Sequence, residues 1–302
     1  MGAMAKRGGR RAAVPREPLI GAHISIAGGA HRAPERAVAV GCVCMQIFTK
    51  SNVQWAAPPL RKDDAAAFQE QCKACNIAPV VAHNSYLINL ASPDRALREK
   101  SVKAFRGELS RCSKLGLGAI IAHPGSHVGS GEKAGLRRIA QALNRLLDSR
   151  SSGAVRILLE TTAGQGSALG GRFEHLAEII ARVRQKERVG VCYDTCHTFA
   201  AGYDIRTDDA YGRTMEDFDR TIGLGRIAAF HLNDAKAGLG SRTDRHEHIG
   251  RGKLGREAFR LILRDRRFGR VPKILETPKG RRGRAEWDVI NLNLLRRLAE
   301  GA

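Results

Sequence analysis

From Leu19 onward the chain has a regular rhythm. Short runs rich in Val, Ile, Leu and Ala alternate with longer stretches whose apolar positions recur every three or four residues. The short runs fall at 19–26, 42–49, 78–83, 119–123, 155–161, 189–194, 227–233 and 272–277. The stretches of helical period fall at 31–40, 63–75, 93–115, 132–149, 172–185, 208–224, 256–266 and 286–298. Eight strand–helix units in series predict an α/β fold: a parallel sheet closed into a single (β/α)8 TIM barrel over residues 19–302. The alternative is an open doubly wound sheet, but no G-x-G-x-x-G follows the first strand, and Ala27-Gly28-Gly29-Ala30 reads only as a tight turn.

Residues 1–18 fall outside the rhythm. They are rich in Gly, Arg and Ala, read as a mobile basic arm, and begin with Met1-Gly2-Ala3 ahead of Met4, a pattern typical of an expression leader. The whole chain of 302 residues has a formal charge of +21. The arm accounts for +4 of that, leaving +17 on the body, and a folded body so basic expects a polyanionic partner, nucleic acid first. No run is long and apolar enough to cross a membrane, and no apolar signal core opens the chain, so an intracellular location is expected. Seven scattered cysteines fit a reducing compartment; Cys72-Lys-Ala-Cys75 has no second pair at zinc-ribbon spacing.

In a closed parallel barrel, reactive side chains sit at the carboxyl ends of the strands. The third run ends at His83, the fourth at His123, and the fifth contains Glu160. The sixth ends at Asp194 with His197 just beyond, the seventh contains His231 and the eighth Glu276; the loop after the seventh adds Asp244 and His246. Taken singly, each is ordinary: a strand-end histidine is usually a hydrogen-bonded structural residue, and Asp194 suits the N-cap of a helix. Six consecutive strands closing on ligand-type residues instead predict a metal cluster on one rim. Imidazole and carboxylate suit zinc or manganese, and nine such groups exceed the three that one open catalytic ion needs. Paired ions beside a basic surface point to phosphodiester or phosphate-ester hydrolysis.

At this density of motifs the chain resembles the endonuclease IV family of metal-dependent apurinic/apyrimidinic endonucleases, from Ile20 to about Leu298. The matching stretches include Gly21-Ala-His-Ile-Ser25, Phe48-Thr-Lys50 with Gln54-Trp55, and His83-Asn-Ser-Tyr-Leu-Ile-Asn-Leu90. They continue through His123-Pro-Gly-Ser-His127, Glu160-Thr-Thr-Ala-Gly-Gln-Gly166, Cys192-Tyr-Asp-Thr-Cys-His197 and Ala201-Gly-Tyr-Asp204. His231-Leu-Asn-Asp-Ala-Lys236, Ser241-Arg-Thr-Asp-Arg-His246 and Leu275-Glu-Thr-Pro278 complete the set.

The resemblance implies three Zn2+ ions, with Mn2+ an alternative at one position. Glu160 would bridge two ions, with His83 and His123 completing the first and Asp194, His231 and Glu276 the second; His197, Asp244 and His246 would hold the third. It also implies cleavage of duplex DNA 5′ to an abasic site, leaving a 3′-hydroxyl and a 5′-deoxyribose phosphate, and trimming of blocked 3′ ends. The nucleophile would be a hydroxide between the first two ions, oriented or deprotonated by Glu160, with the third ion on the departing oxygen. Gln54, Tyr86 and Leu87 match rim positions that enter the DNA; Arg245, Lys279, Arg281 and Arg282 are further candidate DNA contacts. A monomer is expected, in the cytoplasm or nucleoid of a bacterium or the nucleus or an organelle of a eukaryote.

Two departures stand out. Val53 occupies a position where bacterial relatives often carry an intercalating arginine, so the wedge there must be apolar or come from elsewhere. Gly250-Arg251-Gly252 stands where Gly-Glu-Gly is common, placing a cation near the metals. Two competing functions fit parts of the pattern: a sugar isomerase of the xylose-isomerase-like class, and a non-catalytic DNA-binding module with structural zinc. The basic body and nine ligands disfavour the first, and the absence of cysteine ligands disfavours the second.

Overall fold

A computed structural model describes residues 18–300; the arm expected at residues 1–18 lies, except for Pro18, outside the described residues. Eight strands form one closed, all-parallel barrel: β1 (Ile20–His23), β2 (Cys44–Phe48), β3 (Val80–His83), β4 (Ala119–Ala122), β5 (Arg156–Glu160), β6 (Val189–Asp194), β7 (Ile227–His231) and β8 (Lys273–Leu275). They pair in chain order, and β1 closes the ring against β8, with Ile20 opposite Lys273 and Gly21 opposite Ile274. The expected strands are all present and mostly shorter, because each run continues into loop once its side chains reach the rim.

The outer ring consists of α1 (Ala33–Ala39), α2 (Lys62–Ala74), α3 (Arg95–Leu115), α4 (Glu132–Leu147), α5 (Phe173–Arg182), α6 (Thr195–Ala201), α7 (Asp208–Thr221), α8 (Gly255–Arg264) and α9 (Trp287–Glu300). The seven-residue α6 is an addition to the expected pattern. It starts directly after β6, where the Asp194 carboxylate accepts the His197 backbone N–H at 2.7 Å. No helix among the described residues is long and apolar enough to cross a membrane.

Side-chain alternation along the strands sorts the barrel interior into discs. One disc consists of Cys44, Val81, Ile121, Leu158, Cys192, Ala229 and Ile274, all buried, one from each of β2 to β8. Gly21 supplies the eighth position: a Cβ there would lie 1.8 Å from the Cys44 carbonyl oxygen, so only glycine lets β1 and β2 meet. Adding two to each of these numbers gives the next disc toward the carboxyl end: His23, Gln46, His83, His123, Glu160, Asp194, His231 and Glu276. An apolar floor thus lies directly beneath a ring of eight polar residues.

Candidate metal centre and DNA-facing rim

Glu160 is fully buried at the middle of that ring. Its Oε2 lies 3.1 Å from His83 Nε2 and 3.1 Å from His123 Nε2. Its Oε1 lies 2.9 Å from His231 Nδ1 and 3.2 Å from His197 Nδ1. Glu276 Oε2 approaches His231 Nδ1 at 3.1 Å, and Asp194 Oδ2 is 3.8 Å from the same nitrogen. Toward solvent, His197 Nε2 faces Asp244 Oδ1 at 3.2 Å and His246 Nε2 at 3.4 Å.

All nine candidate ligands therefore converge. Three groups have ligand atoms within 4.8 Å of one another: His83–His123–Glu160, Glu160–Asp194–His231–Glu276, and Asp194–His197–His246. The first two coincide with the sets inferred from sequence. In the third Asp194 takes the place expected for Asp244, which stands 3.5 Å from His246 Nε2 on the solvent side.

The outer contacts test whether this set fits a cation. His83 Nδ1 is 2.8 Å from the Asn84 carbonyl oxygen, and His197 Nδ1 is 2.9 Å from that of Thr161. A carbonyl only accepts, so these nitrogens carry protons, and in the neutral rings the lone pairs at His83 Nε2 and His197 Nε2 point at carboxylate oxygens. His246 Nδ1 similarly faces the Glu276 carbonyl at 3.2 Å, aiming its Nε2 at His197 Nε2. Lone pairs aimed at anions repel unless a positive charge lies between them. Electrostatics agree: burial opposes charge on His231, yet the Glu276 and Glu160 carboxylates beside it hold its pKa well above the ordinary value. Burial likewise opposes charge on Glu160, but the surrounding imidazoles hold its pKa well below the usual carboxylate range. The donor set fits divalent cations, each ring oriented by an outer acceptor as metal-binding imidazoles usually are.

Several residues of this centre lie outside the expected set. Gln46 and His23 complete the ring. Asn233 donates to Asp194 Oδ2 at 2.7 Å and accepts from the Glu276 N–H at 2.8 Å, tying two strand ends together. Asp234 accepts the backbone N–H groups of Gly252 and Leu254 at 3.0 Å each, anchoring the segment that follows Asp244 and His246. A Cβ at Gly252 would lie 2.4 Å from both Asp234 Oδ1 and the Ala235 carbonyl, so that anchor requires glycine.

Above the ring, Tyr86, Ser85, Asn84 and Ile88 line a cavity of about 400 Å3 with His123, His197, Asp244, His246 and Glu276. Tyr86 is 60% exposed, its ring centroid 5.5 Å from that of His83; Gln54 is exposed and Leu87 half-buried on adjacent loops. Arg245 is exposed beside Asp244. The basic segment after β8 is more engaged than its sequence suggests: Lys279 pairs with Asp288 at 2.6 Å, and Arg281 with Glu286 at 3.5 Å. Arg251 and Arg282 lie 5.0 and 5.9 Å from the Trp287 ring centre, so Arg251 packs on an indole instead of reaching a metal ligand.

Comparison with known proteins agrees with this geometry. A family model described as a xylose isomerase-like TIM barrel matches residues 34–298. The protein named "Probable endonuclease 4" of Geobacter sulfurreducens is 54% identical over 92% of this chain and 94% of its own. Its namesake in Chloroflexus aggregans is 53% identical over 93% of this chain and 98% of its own. The crystal structure of endonuclease IV from Thermus thermophilus superposes with a TM-score of 0.81 at 38% identity, over 94% of this chain and all of that one. A D-tagatose 3-epimerase-like protein shares the barrel, with a TM-score of 0.72, at 18% identity, a likeness of fold alone. The chain belongs to the endonuclease IV family.

Proposed function

We propose that this protein is a DNA-repair endonuclease that hydrolyses the phosphodiester 5′ to abasic sites in duplex DNA, leaving a 3′-hydroxyl and a 5′-deoxyribose phosphate, and that it trims blocked 3′ ends. The observation that carries the proposal is the ring of oriented imidazoles and carboxylates at the open end of the barrel, in a chain whose relatives are named for endonuclease activity. In this reading Glu160, His83 and His123 hold one Zn2+, Asp194, His231 and Glu276 with Glu160 a second, and His197, Asp244 and His246 a third, with Mn2+ able to replace one. When bound, such ions activate water at neutral pH and neutralise charge on the attacking and leaving oxygens of an in-line displacement.

The chain's own residues supply the rest. Glu160, the catalytic residue of the set, sits between the two inner groups, where its carboxylate orients the attacking water. The apolar floor closes the ring from below, so the scissile phosphate approaches only through the cavity beneath Tyr86. Of the five large hydrophobic residues that are exposed among the described residues, Val53, Tyr86, Val128 and Leu239 lie on loops after β2, β3, β4 and β7, around that opening. With Gln54 and Leu87 they form an apolar-tipped crown suited to enter a duplex, where unstacking costs least at a missing base. Arg245 and Arg282 would meet the phosphate backbone, whereas Lys279 and Arg281 must first release carboxylate partners.

The test is incision of a labelled duplex carrying one abasic analogue. We expect a single cut 5′ to the lesion that disappears after chelation and returns with zinc. Glu160→Gln should abolish it while the far-ultraviolet circular dichroism stays unchanged. Incision that survives complete metal removal, or wild-type turnover in the variant, would refute the assignment.

A further inference from the structure

Gln46 is completely buried, and its amide makes three contacts into the ring. Its Nε2 donates to Glu276 Oε1 at 2.6 Å and, with its second hydrogen, faces His23 Nδ1 at 2.9 Å. Its Oε1 lies 2.8 Å from His231 Nε2. The amide orientation follows from these partners: reversed, it would turn its oxygen onto the Glu276 carboxylate. With the oxygen on His231, the proton of that ring resides on Nε2. Nδ1 then presents its lone pair toward Glu160 Oε1 at 2.9 Å and Glu276 Oε2 at 3.1 Å.

We infer that Gln46 is a positioning residue for one divalent-cation site, fixing the His231 tautomer and the Glu276 rotamer together so that both ligands face the same point as Glu160. The inference rests on the metal reading of the preceding section. A carboxamide of this reach accepts from an imidazole and donates to a carboxylate at the same time without adding charge. An ionised carboxylate at position 46 cannot donate to Glu276, and an apolar residue can serve neither ligand. His23 completes the arrangement by accepting the second amide hydrogen, so that neither Gln46 N–H is left unpaired.

The consequence is selective. Outer partners of metal ligands typically govern 10- to 100-fold in metal affinity. Gln46→Met preserves approximate volume and removes all three hydrogen bonds. Zinc-loaded wild type and Gln46→Met are titrated with a competing chelator, and retained zinc is counted by elemental analysis. We expect the variant to release one equivalent at a roughly 10- to 100-fold lower chelator concentration, with the other equivalents released as in wild type. Release curves that coincide would overturn the inference; a wild type that retains no zinc would overturn both it and the metal reading.

A second measurement needs no variant. Nitrogen-15 spectra of wild type labelled at histidine should show His231 protonated at Nε2 both before and after zinc loading. A ring bare at Nε2, with its only proton on Nδ1, in either state would mean that Gln46 does not set the tautomer, and would overturn the inference even if Gln46→Met failed to fold.

Discussion

Replacing Lys50 by Met would break an ion pair that joins two rim loops to one helix. Lys50, just beyond β2, lies 3.1 Å from Glu108 of α3, and both side chains are almost wholly buried. The Lys50 ammonium also donates to the Gln54 carbonyl at 2.6 Å, holding the loop that presents Val53 and Gln54. Glu108 accepts the Ser85 N–H at 3.2 Å, and the Ser85 hydroxyl donates to the Asn52 carbonyl at 2.6 Å, so the loop that presents Tyr86 shares the anchor. At this separation and an effective dielectric constant near 20, the attraction is about 5 kcal/mol. Removing one partner of a buried pair typically costs about 3–5 kcal/mol, because a charge is left unpaired. Replacing both by apolar residues of similar volume is often close to neutral.

Urea unfolding of the metal-free protein should therefore show Lys50→Met destabilised by about 3–5 kcal/mol, with most of the loss recovered in Lys50→Met/Glu108→Leu. The sign of the pH dependence follows from Glu108, whose pKa burial holds above the usual carboxylate value even with Lys50 beside it. Without Lys50 that pKa rises further, so folding favours the protonated acid. The Lys50→Met deficit should be greatest at about pH 8 and shrink toward about pH 5 as Glu108 takes up its proton. The double variant should still bind abasic duplex less selectively, since the Gln54 carbonyl has lost its donor in either background. A deficit below about 1 kcal/mol that does not vary with pH, or two substitutions whose effects simply add, would refute the buried-pair argument.

Two further outcomes follow from single side chains. Lys273 is buried at the start of β8 with its ammonium donating to the Phe268 and Val271 carbonyls, and burial lowers its pKa to about 8. That displacement corresponds to roughly 3 kcal/mol of penalty on the charged form, present below about pH 8 and relieved as pH rises toward the ordinary lysine value. Lys273→Met should thus compare most favourably with wild type near pH 7 and lose that advantage by about pH 10 in thermal unfolding; an advantage that grows with pH would contradict the sign. Val53, 73% exposed on the rim, is open to a longer side chain. Val53→Arg should tighten binding to abasic duplex and steepen the logarithmic salt dependence by about one, and a salt slope equal to that of wild type would place the residue away from the phosphates.

The barrel was legible because its strands alternate with helices at regular spacing, and six of the eight apolar runs have, at or near their end, a residue that does not belong to an apolar core. The same reading missed two of the eight ring positions for a physical reason. The first run, Leu-Ile-Gly-Ala-His-Ile-Ser-Ile, stays apolar beyond His23, so its rim falls in the middle of the run. β1 ends at His23, and the Ile24 N–H still donates to the Gln46 carbonyl of the neighbouring strand. Gln46 is likewise enclosed by Met45 and Ile47, and its signal is alternation: Cys44 faces the apolar disc, so the residue two further on must face the ring. Asp194 suits an N-cap in the sequence, but the seven-residue helix it starts, Thr195–Ala201, does not stand out there as a separate element because the same residue is also a strand end and a candidate ligand.

The two discs also bear on which donors a cation would find. Cys44 and Cys192 belong to the apolar disc, one layer beneath Gln46 and Asp194. Burial pushes both thiols up to about 12, so they remain protonated, small apolar fillers at neutral pH. A metal ligand must be the thiolate, and these two cannot ionise without a charge in the driest part of the barrel. Two residues nearer the rim, the ring as a whole offers imidazole and carboxylate, and part of the candidate ligand set is reachable from solvent: His123, just after β4, keeps 35% of its side chain exposed and Asp244, in the loop after β7, 42%. The proposed ions would therefore sit on a nitrogen–oxygen set with an open side, as catalytic sites require, above sulfur that stays inert. The period of two along a strand separates these layers, so a shift of one residue in any strand that brought the preceding position to the rim would exchange a polar member of the ring for a side chain of the opposite face.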